Sequence, residues 1–478
     1  VGVTGFEPAT TRPPDAYSNR AELHPESFGM CEPSHSVCNS SAKVELLFEL
    51  SKYYPYFCIT FFQKTGFRMM YYTLVPPLSI DLQVQLPPSK SISNRVLVIN
   101  KLADNQALPD NISDCDDTYV MKRALSHSSD ITDIMAAGTA MRFLTAYYSV
   151  SQERTILTGT PRMLCRPIRV LVDALRELGA DITYMREEGF PPLRVEGKPL
   201  KGGKVALEGN VSSQFTSALL MIGPVMQQGL QIELKGNIVS RPYIDMTLKL
   251  MNAFGARAEW TGSHTINVEH KPYEKRSFLI ENDWSAASYW YEIVALATDK
   301  NATVSLPGLF RESTQGDARV QDIYRQLGVD TTYENNRFVL KKGHTSQTPL
   351  ELDLEDQPDL AQTIVVTCAM QGRPFRISGL QSLKIKETDR LKALQTELAK
   401  LGIALKTNGS SLAWNGKKHQ PHTDIAIDTY DDHRMAMAFA PCSFNIPQLR
   451  INNPQVVSKS YPGYWQDLQA AGFTIGNL

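Results

Sequence analysis

Basic residues recur along this chain beside hydroxyls, glycines and amides, at places where helices should begin. The first is Leu86-Pro87-Pro88-Ser89-Lys90-Ser91-Ile92-Ser93-Asn94-Arg95, where Lys90 and Arg95 stand among three serines, two of them between the cations. Gly138-Thr139-Ala140-Met141-Arg142 follows, then Arg166-Pro167, Ser212-Ser213-Gln214 and Ser240-Arg241-Pro242-Tyr243. Later come Lys386-Glu387-Thr388-Asp389-Arg390, Asp432-His433-Arg434 and Ser458-Lys459-Ser460. A cation at a helix N-terminus opposes the helix dipole unless an anion sits between them. One such case is a solvated accident. Repeated, it points to a convergent site for a small polyanion, and phosphate and carboxylate are the groups that guanidinium and ammonium grip best.

Certain elements must position these residues. Ile80–Leu86 alternates apolar and polar residues, the period of a strand with one buried face, and Pro87 and Pro88 end it. A helical rhythm follows, and Ser91 and Ser93 are the expected caps. Lys386 and Arg390, four apart, are expected on one face of a long helix, with Glu387 three residues from Arg390. Five segments share one form, an amphipathic helix that ends at a glycine and runs into a strand. Their glycines are Gly179, Gly255, Gly328, Gly402 and Gly472, separated by 76, 73, 74 and 70 residues. That period is too long for a solenoid of helical hairpins and suits a compact βα unit repeated around an axis. A sixth copy is expected near residues 85–130, with Met121–Ser126 as its worn equivalent.

At 478 residues the chain exceeds what one core supports, so two domains are expected. A hydrophobic content of 42% is ordinary for a globular protein, and the formal net charge of −1 gives no general attraction to nucleic acid or acidic membranes. The cation cluster lacks the aromatic platform of a single-strand binder, and no phosphate-cradling glycine loop follows a strand. No apolar run reaches the ~20 residues of a membrane span. The seven cysteines have no paired or metal-like spacing, which suggests reduced thiols in a cytoplasmic protein and no metal. Residues 1–68 lack periodicity and lack the regions of a secretory signal. Met69-Met70 just precedes the first patterned strand, so residues 1–68 are expected to be a disordered extension or a mis-set start.

Ser-Lys-Ser-x-Ser-Asn-Arg at Ser89, Ala-Gly-Thr-Ala-Met-Arg at Ala137, Ser-Ser-Gln at Ser212, Lys-Glu-Thr-Asp-Arg at Lys386 and Asp-His-Arg-Met-Ala-Met at Asp432 occur in that order. In this, the chain from about Leu86 to its end resembles the EPSP synthase family of enolpyruvyl transferases. The resemblance implies an α/β (α+β) fold of two similar domains, each of three βαβαββ units in an inverse α/β barrel, joined by a double crossover. It implies domains of 69–89 plus 282–478 and of 90–281, with crossings near Lys90 and near Glu281–Asp283. The implied reaction moves the enolpyruvyl group of phosphoenolpyruvate to the 5-hydroxyl of shikimate 3-phosphate by addition and elimination, without metal or organic cofactor. Lys90, Ser91, Arg95, Ser212, Ser213, Gln214, Ser240, Tyr243, Asp359 and Lys386 match the shikimate 3-phosphate contacts. Lys90, Gly138, Arg142, Arg166, Gln214, Arg390, Arg434 and Lys459 match those for phosphoenolpyruvate. Asp359 is the implied base and Glu387 the implied acid, with Lys90 as its alternative; His433 has a supporting role at best. A monomer acting on small molecules, with no nucleic acid and no membrane partner, is expected.

Two departures from the family pattern stand at the site wall. Ala136 replaces an asparagine and Phe143 a proline, which bears on the fit of glyphosate-like inhibitors. Ser382 stands where the family often has asparagine. The nearest alternative is UDP-N-acetylglucosamine 1-carboxyvinyltransferase, which relies on a loop cysteine before the arginine matching Arg166. Here Cys165 touches Arg166 in sequence, and Gly159-Thr160-Pro161-Arg162-Met163 holds no cysteine. An RNA 3′-phosphate cyclase relative is disfavoured by the intact Lys-Glu-Thr-Asp-Arg run. A non-catalytic binding module is disfavoured by Lys90, Asp359 and Glu387 occurring together. Because the cations come from both halves, their repulsion predicts opening without ligand and closure on anions.

Overall fold

The computed structural model describes residues 70–127 and 129–477, and the expectation for residues 1–68 lies outside them. Periodicity explains the local structure. Arg169–Glu177 turns Leu171, Val172, Ala174 and Leu175 to one buried face, and Gly203–Glu208 buries Val205 and Leu207 while Lys204 and Glu208 face outward.

These elements repeat as strand, helix, strand, helix, strand, strand. In the copy beginning at Ile131–Asp133, the order is Ile131–Asp133, helix Gly138–Val150, Arg154–Thr158, helix Arg169–Glu177, Asp181–Tyr184 and Leu193–Glu196. The first strand lies parallel to the second, the second antiparallel to the fourth, and the fourth antiparallel to the third. Four further four-stranded sheets have the same order and directions. Two of them are assembled from distant segments. Asp81–Gln83 pairs with Thr303–Pro307, and Tyr71–Val75 lies between Leu449–Asn452 and Thr474–Asn477. The sixth copy keeps its helices, Lys90–Leu102 and Asp116–Ser126, while its sheet shrinks to the isolated bridges Pro88↔Asn282 and Asp110↔Leu279.

All five repeat glycines are in the left-handed region, with φ of +98°, +85°, +87°, +77° and +92° in chain order. Four stand between a helix and the next strand, while Gly328 is the second residue of the strand Leu327–Glu334; the conformation costs other residues a Cβ clash.

Apolar side chains gather in two clusters. One runs from Ile92 to Ile280; the other combines Leu74–Leu86 with Trp284–Phe473. The chain passes between them twice, and the passages are bonded together. Ser89 N donates to the Glu281 carbonyl at 2.8 Å, and Asp283 N donates to that of Pro87 at 2.9 Å. Buried Glu281 anchors the crossing by accepting from Trp284 Nε1, Phe310 N, Ser313 Oγ and Gln315 Nε2 at 2.7–2.9 Å. Among the described residues, no helix is long and apolar enough to cross a membrane.

Two local expectations need correction. The strand within Ile80–Leu86 is only Asp81–Gln83. The cap of helix α1 (Lys90–Leu102) is Ser89, whose Oγ accepts from Ile92 N at 3.4 Å, and neither Ser91 nor Ser93. Both of those are already inside the helix, where a hydroxyl cannot reach the free N–H groups of the first turn.

The repeat glycines give a graded prediction. A Cβ on Gly179 meets nothing, so Gly179→Ala should lose only the left-handed cost of about 1–2 kcal/mol. On Gly402 a Cβ would overlap the His419 carbonyl, so Gly402→Ala should cost more. Urea unfolding of both variants checks the order.

Candidate active site

The repeat aims the starts of several first helices at one place. Helices α1, α2 (Gly138–Val150), α3 (Ser213–Ile222) and α4 (His433–Phe439) begin on a cavity of about 380 Å³, and none has an acid in its first turn. The short turn Pro358–Leu360 brings Asp359 to the same cavity. Second helices of the repeat contribute Ser240, Tyr243 and Arg390. Every residue expected at the site lines this cavity except Lys459, which reaches it through Glu387 at 3.3 Å and the Ala136 carbonyl at 2.8 Å.

Three buried arginines face this space without forming an ion pair to any described residue. Arg95 donates to Thr247 Oγ1 at 2.7 Å, the Ser91 carbonyl at 2.9 Å and Ser217 Oγ at 3.2 Å, with the Phe143 ring 5.2 Å away. Burial lowers its pKa to about 10. Arg142 bonds the carbonyls of Gly138 and Pro167 at 3.1 and 3.2 Å; burial and then Arg166 push its pKa well down. Arg166 Nε has no hydrogen-bond partner. Such cations are costly in a dry site without a counter-charge, so this side of the cavity is built for anions. Ser91, Ser212, Ser213, Ser240 and Gln214 surround it with neutral donors, and Gln214 Nε2 bonds Thr139 Oγ1 at 3.1 Å. Ser240 has the left-handed φ of +56°, a backbone strain found at functional positions.

The opposite wall is a net of paired charges. Arg390 donates Nε to Asp432 at 2.7 Å, Nη1 to Asp359 at 3.2 Å and Nη2 to Glu387 at 3.0 Å. Asp359 also holds Arg434 at 2.9 Å and Lys386 at 3.6 Å. Burial alone would raise the pKa of Asp359, but Arg434, Lys386 and Arg390 hold it far below the carboxylate range. Glu387 is likewise buried and held ionised, by Lys459, Arg390 and Arg166. Burial disfavours the Lys90 ammonium, yet Asp117 at 3.3 Å keeps its pKa above an ordinary lysine's. Burial, Lys90 and Arg434 keep His433 neutral.

The loop carrying Lys386 differs from expectation. Helix α5 spans Arg390–Lys400 and begins after Asp389, whose carboxylate caps Lys392 N at 3.2 Å; Lys386 precedes it with extended backbone, ψ −154°. Lys386 and Arg390 therefore meet at Asp359 from a turn and a helix rather than from one helix face. Two acids escaped the sequence reading. Asp117 pairs with Lys90, and Asp317 accepts from Tyr243 Oη at 3.0 Å and from Ser285 Oγ. Acidic helix starts as in Asp116-Asp117 are common, so nothing in the sequence singled them out. Ala136 does reach the site, through its carbonyl, and Phe143 packs on Arg95 rather than lining the cavity. Among the described residues no cluster of acids, histidines and cysteines is placed to hold a metal ion.

The family model described as EPSP synthase (3-phosphoshikimate 1-carboxyvinyltransferase) matches residues 122–468. A 3-phosphoshikimate 1-carboxyvinyltransferase of Bacteroides fragilis is 56% identical over 407 residues, covering 85% of this chain and 99% of the relative. One from Sulfurovum sp. is 35% identical over 436 residues, covering 83% and 98%. The fold is similar to that of EPSP synthase from Acinetobacter baumannii, with a TM-score of 0.67 at 20% identity over 86% of this chain and 100% of the other.

Two predictions follow from the wall contacts. A Cβ on Gly138 would overlap the Arg166 guanidinium, so Gly138→Ala should weaken a small carboxylate-bearing phosphate about tenfold, as for one charge-assisted bond lost. Titration calorimetry reads it. Burial, with Asp359 nearby, raises the Asp317 pKa to about 6. The fold therefore gains from protonated Asp317 below the ordinary aspartate value and loses that gain as pH rises through about 6. Asp317→Asn should remove this decline, of roughly 3 kcal/mol, from unfolding curves taken between about pH 4 and 6.

Proposed function

The chain belongs to the EPSP synthase family, and on that premise we propose how its cavity performs the family's reaction. The enzyme transfers the enolpyruvyl group of phosphoenolpyruvate to the 5-hydroxyl of shikimate 3-phosphate and releases phosphate. One observation carries the residue-level reading: three buried arginines lack an anion on one side of a cavity whose other side holds two ionised carboxylates.

Arg95, with Ser91, Ser212, Ser213, Ser240, Tyr243, Gln214 and Lys386, takes shikimate 3-phosphate. Arg142 and Arg166, with Gly138, Lys90, Gln214, Arg390, Arg434 and Lys459, take phosphoenolpyruvate. The substrates compete for the cations that now hold Asp359 and Glu387. As Arg434 and Arg390 turn to an incoming carboxylate or phosphate, Asp359 regains basicity and can accept the 5-hydroxyl proton. With Lys459, Arg390 and Arg166 also drawn to phosphoenolpyruvate, Glu387 takes up a proton from solvent; the 5-oxygen then bonds to C2 of phosphoenolpyruvate while that proton passes from Glu387 to C3, giving a tetrahedral ketal with a methyl group. Elimination reverses the proton's path: one methyl hydrogen returns to Glu387, the C–O bond to phosphate breaks, and the enol ether forms. Glu387 suits the acid role because Lys459, Arg390 and Arg166, which depress its pKa, are the groups assigned to phosphoenolpyruvate. Lys90 is the alternative donor, although Asp117 makes it hold its proton tightly.

We assign residues 69–89 plus 282–478 to one domain and 90–281 to the other, following the two apolar clusters. We further read the enzyme as a cytoplasmic monomer, since one chain supplies the whole cavity and Cys115, Cys165, Cys368 and Cys442 are free thiols.

Phosphate release from phosphoenolpyruvate tests the acceptor. Activity is expected with shikimate 3-phosphate; activity only with UDP-N-acetylglucosamine, or with neither, would overturn the reading. Asp359→Ala and Glu387→Gln should each lower kcat about 10²–10⁴-fold. In deuterium oxide, Glu387→Gln should also stop label entering the phosphoenolpyruvate methylene, whereas continued labelling would point to Lys90.

A further inference from the structure

Arg162 reaches across the cavity from outside it. It sits in the four-residue helix Pro161–Leu164, is exposed, and stands beside Met163, which is buried in the Ile92–Ile280 cluster. Its Nε donates to the Glu387 carbonyl at 3.1 Å and its Nη2 to the Lys386 carbonyl at 3.2 Å. One edge of one guanidinium thus holds two successive carbonyls that belong to the other apolar cluster's side of the cavity.

The two ends of this contact are unequally fixed. Arg162 stands on a firm base: Thr160 Oγ1 caps the helix at Met163 N at 3.4 Å, and Thr160 N donates to the Met135 carbonyl at 3.1 Å. Its target is a turn without regular structure, between the short helix Gln381–Ile385 and the start of α5. That turn carries Lys386, aimed at Asp359, and Glu387, aimed at Arg390 and Lys459. Other contacts already bridge the clusters, among them Lys459 to the Ala136 carbonyl and Ser458 Oγ to Asp116 at 2.6 Å. Closure as such therefore does not depend on Arg162, whereas no other side chain bonds these two carbonyls among the described contacts.

We propose that Arg162 is a positioning residue, which fixes the Lys386–Glu387 turn by its carbonyls and so holds the Glu387 carboxylate over the reacting carbon. This rests on the reading of Glu387 as the proton donor. Misplacing a reacting group by about 1 Å costs up to ~100-fold in rate, so the effect belongs in turnover rather than in affinity or stability.

The test uses Arg162→Ala, Arg162→Lys and Glu387→Gln, singly and combined. Arg162→Ala should lower kcat about 10- to 100-fold, with the KM for shikimate 3-phosphate changed less than about threefold. Its Tm should move by less than about 2 °C, as for a surface substitution. Lysine, which can reach one carbonyl, should recover part of kcat. Added to Glu387→Gln, Arg162→Ala should cost nothing more, because both act on one step. Unchanged turnover in Arg162→Ala, or its full loss repeated on top of Glu387→Gln, would overturn the proposal. Deuterium entry into phosphoenolpyruvate separates the two failures. Label lost in Glu387→Gln but retained in Arg162→Ala sinks only the positioning role, whereas label retained in Glu387→Gln sinks the acid reading and with it the route by which Arg162 acts.

Discussion

Arg390 is the contact on which the site depends. Its guanidinium meets three carboxylates: Asp432 on Nε and Nη2, Asp359 on Nη1 and Glu387 on Nη2. Asp432 comes from the last repeat, and the other three residues come from the one before it. Burial costs such a charge several kcal/mol, and only a full set of partners offsets it; taking one partner away from a buried pair typically costs about 3–5 kcal/mol. Arg390 is therefore held more firmly charged than a free arginine. It ties two neighbouring repeats together, and it partners both Asp359 and Glu387 beside the other cations that hold them.

The rest of the site follows from symmetry. The strand–helix–strand–helix–strand–strand unit places its first helix so that four helix starts, with the turn Pro358–Leu360 of a fifth unit, meet at one cavity. The dipoles add, and cations on those starts are tolerable only if anions are shared among them. Carboxylates Asp117, Asp359, Glu387 and Asp432 supply part of that balance. The remainder falls to the substrates. On the proposed reading, binding is an exchange of counter-ions, in which substrate anions displace the chain's own carboxylates from their cations.

What was readable in the sequence was what residue type alone decides. The five glycines marked helix ends because only glycine takes positive φ cheaply. Lys90, Arg142 and Arg390 could be recognised because a cation at a helix start has few other reasons to be there. Contacts made by backbone atoms left no trace. Nothing about alanine says that the Ala136 carbonyl would receive Lys459, and nothing about Lys386 says that its carbonyl would be held from the far side of the cavity. Register was equally hidden: Lys386 and Arg390 at four-residue spacing imply one helical face, but the capping preference of Asp389 starts the helix later and leaves Lys386 in a turn. Asp317 was invisible for a third reason, since only the tertiary fold brings its carboxylate to Tyr243.

The strand Tyr71–Val75 lies between Leu449–Asn452 and Thr474–Asn477, and Asp81–Gln83 pairs with Thr303–Pro307. A ribosome makes both early strands long before their partners. The segment 90–281 can pack its own apolar cluster while translation continues, but the last sheet lacks its edge strand Thr474–Asn477 until the final residues emerge. Tyr71–Val75 must wait unpaired for several hundred residues of synthesis, a stretch of exposed β-former that the nascent chain carries through most of its manufacture. The cavity, which draws on both clusters, can exist only after that strand has closed the ring.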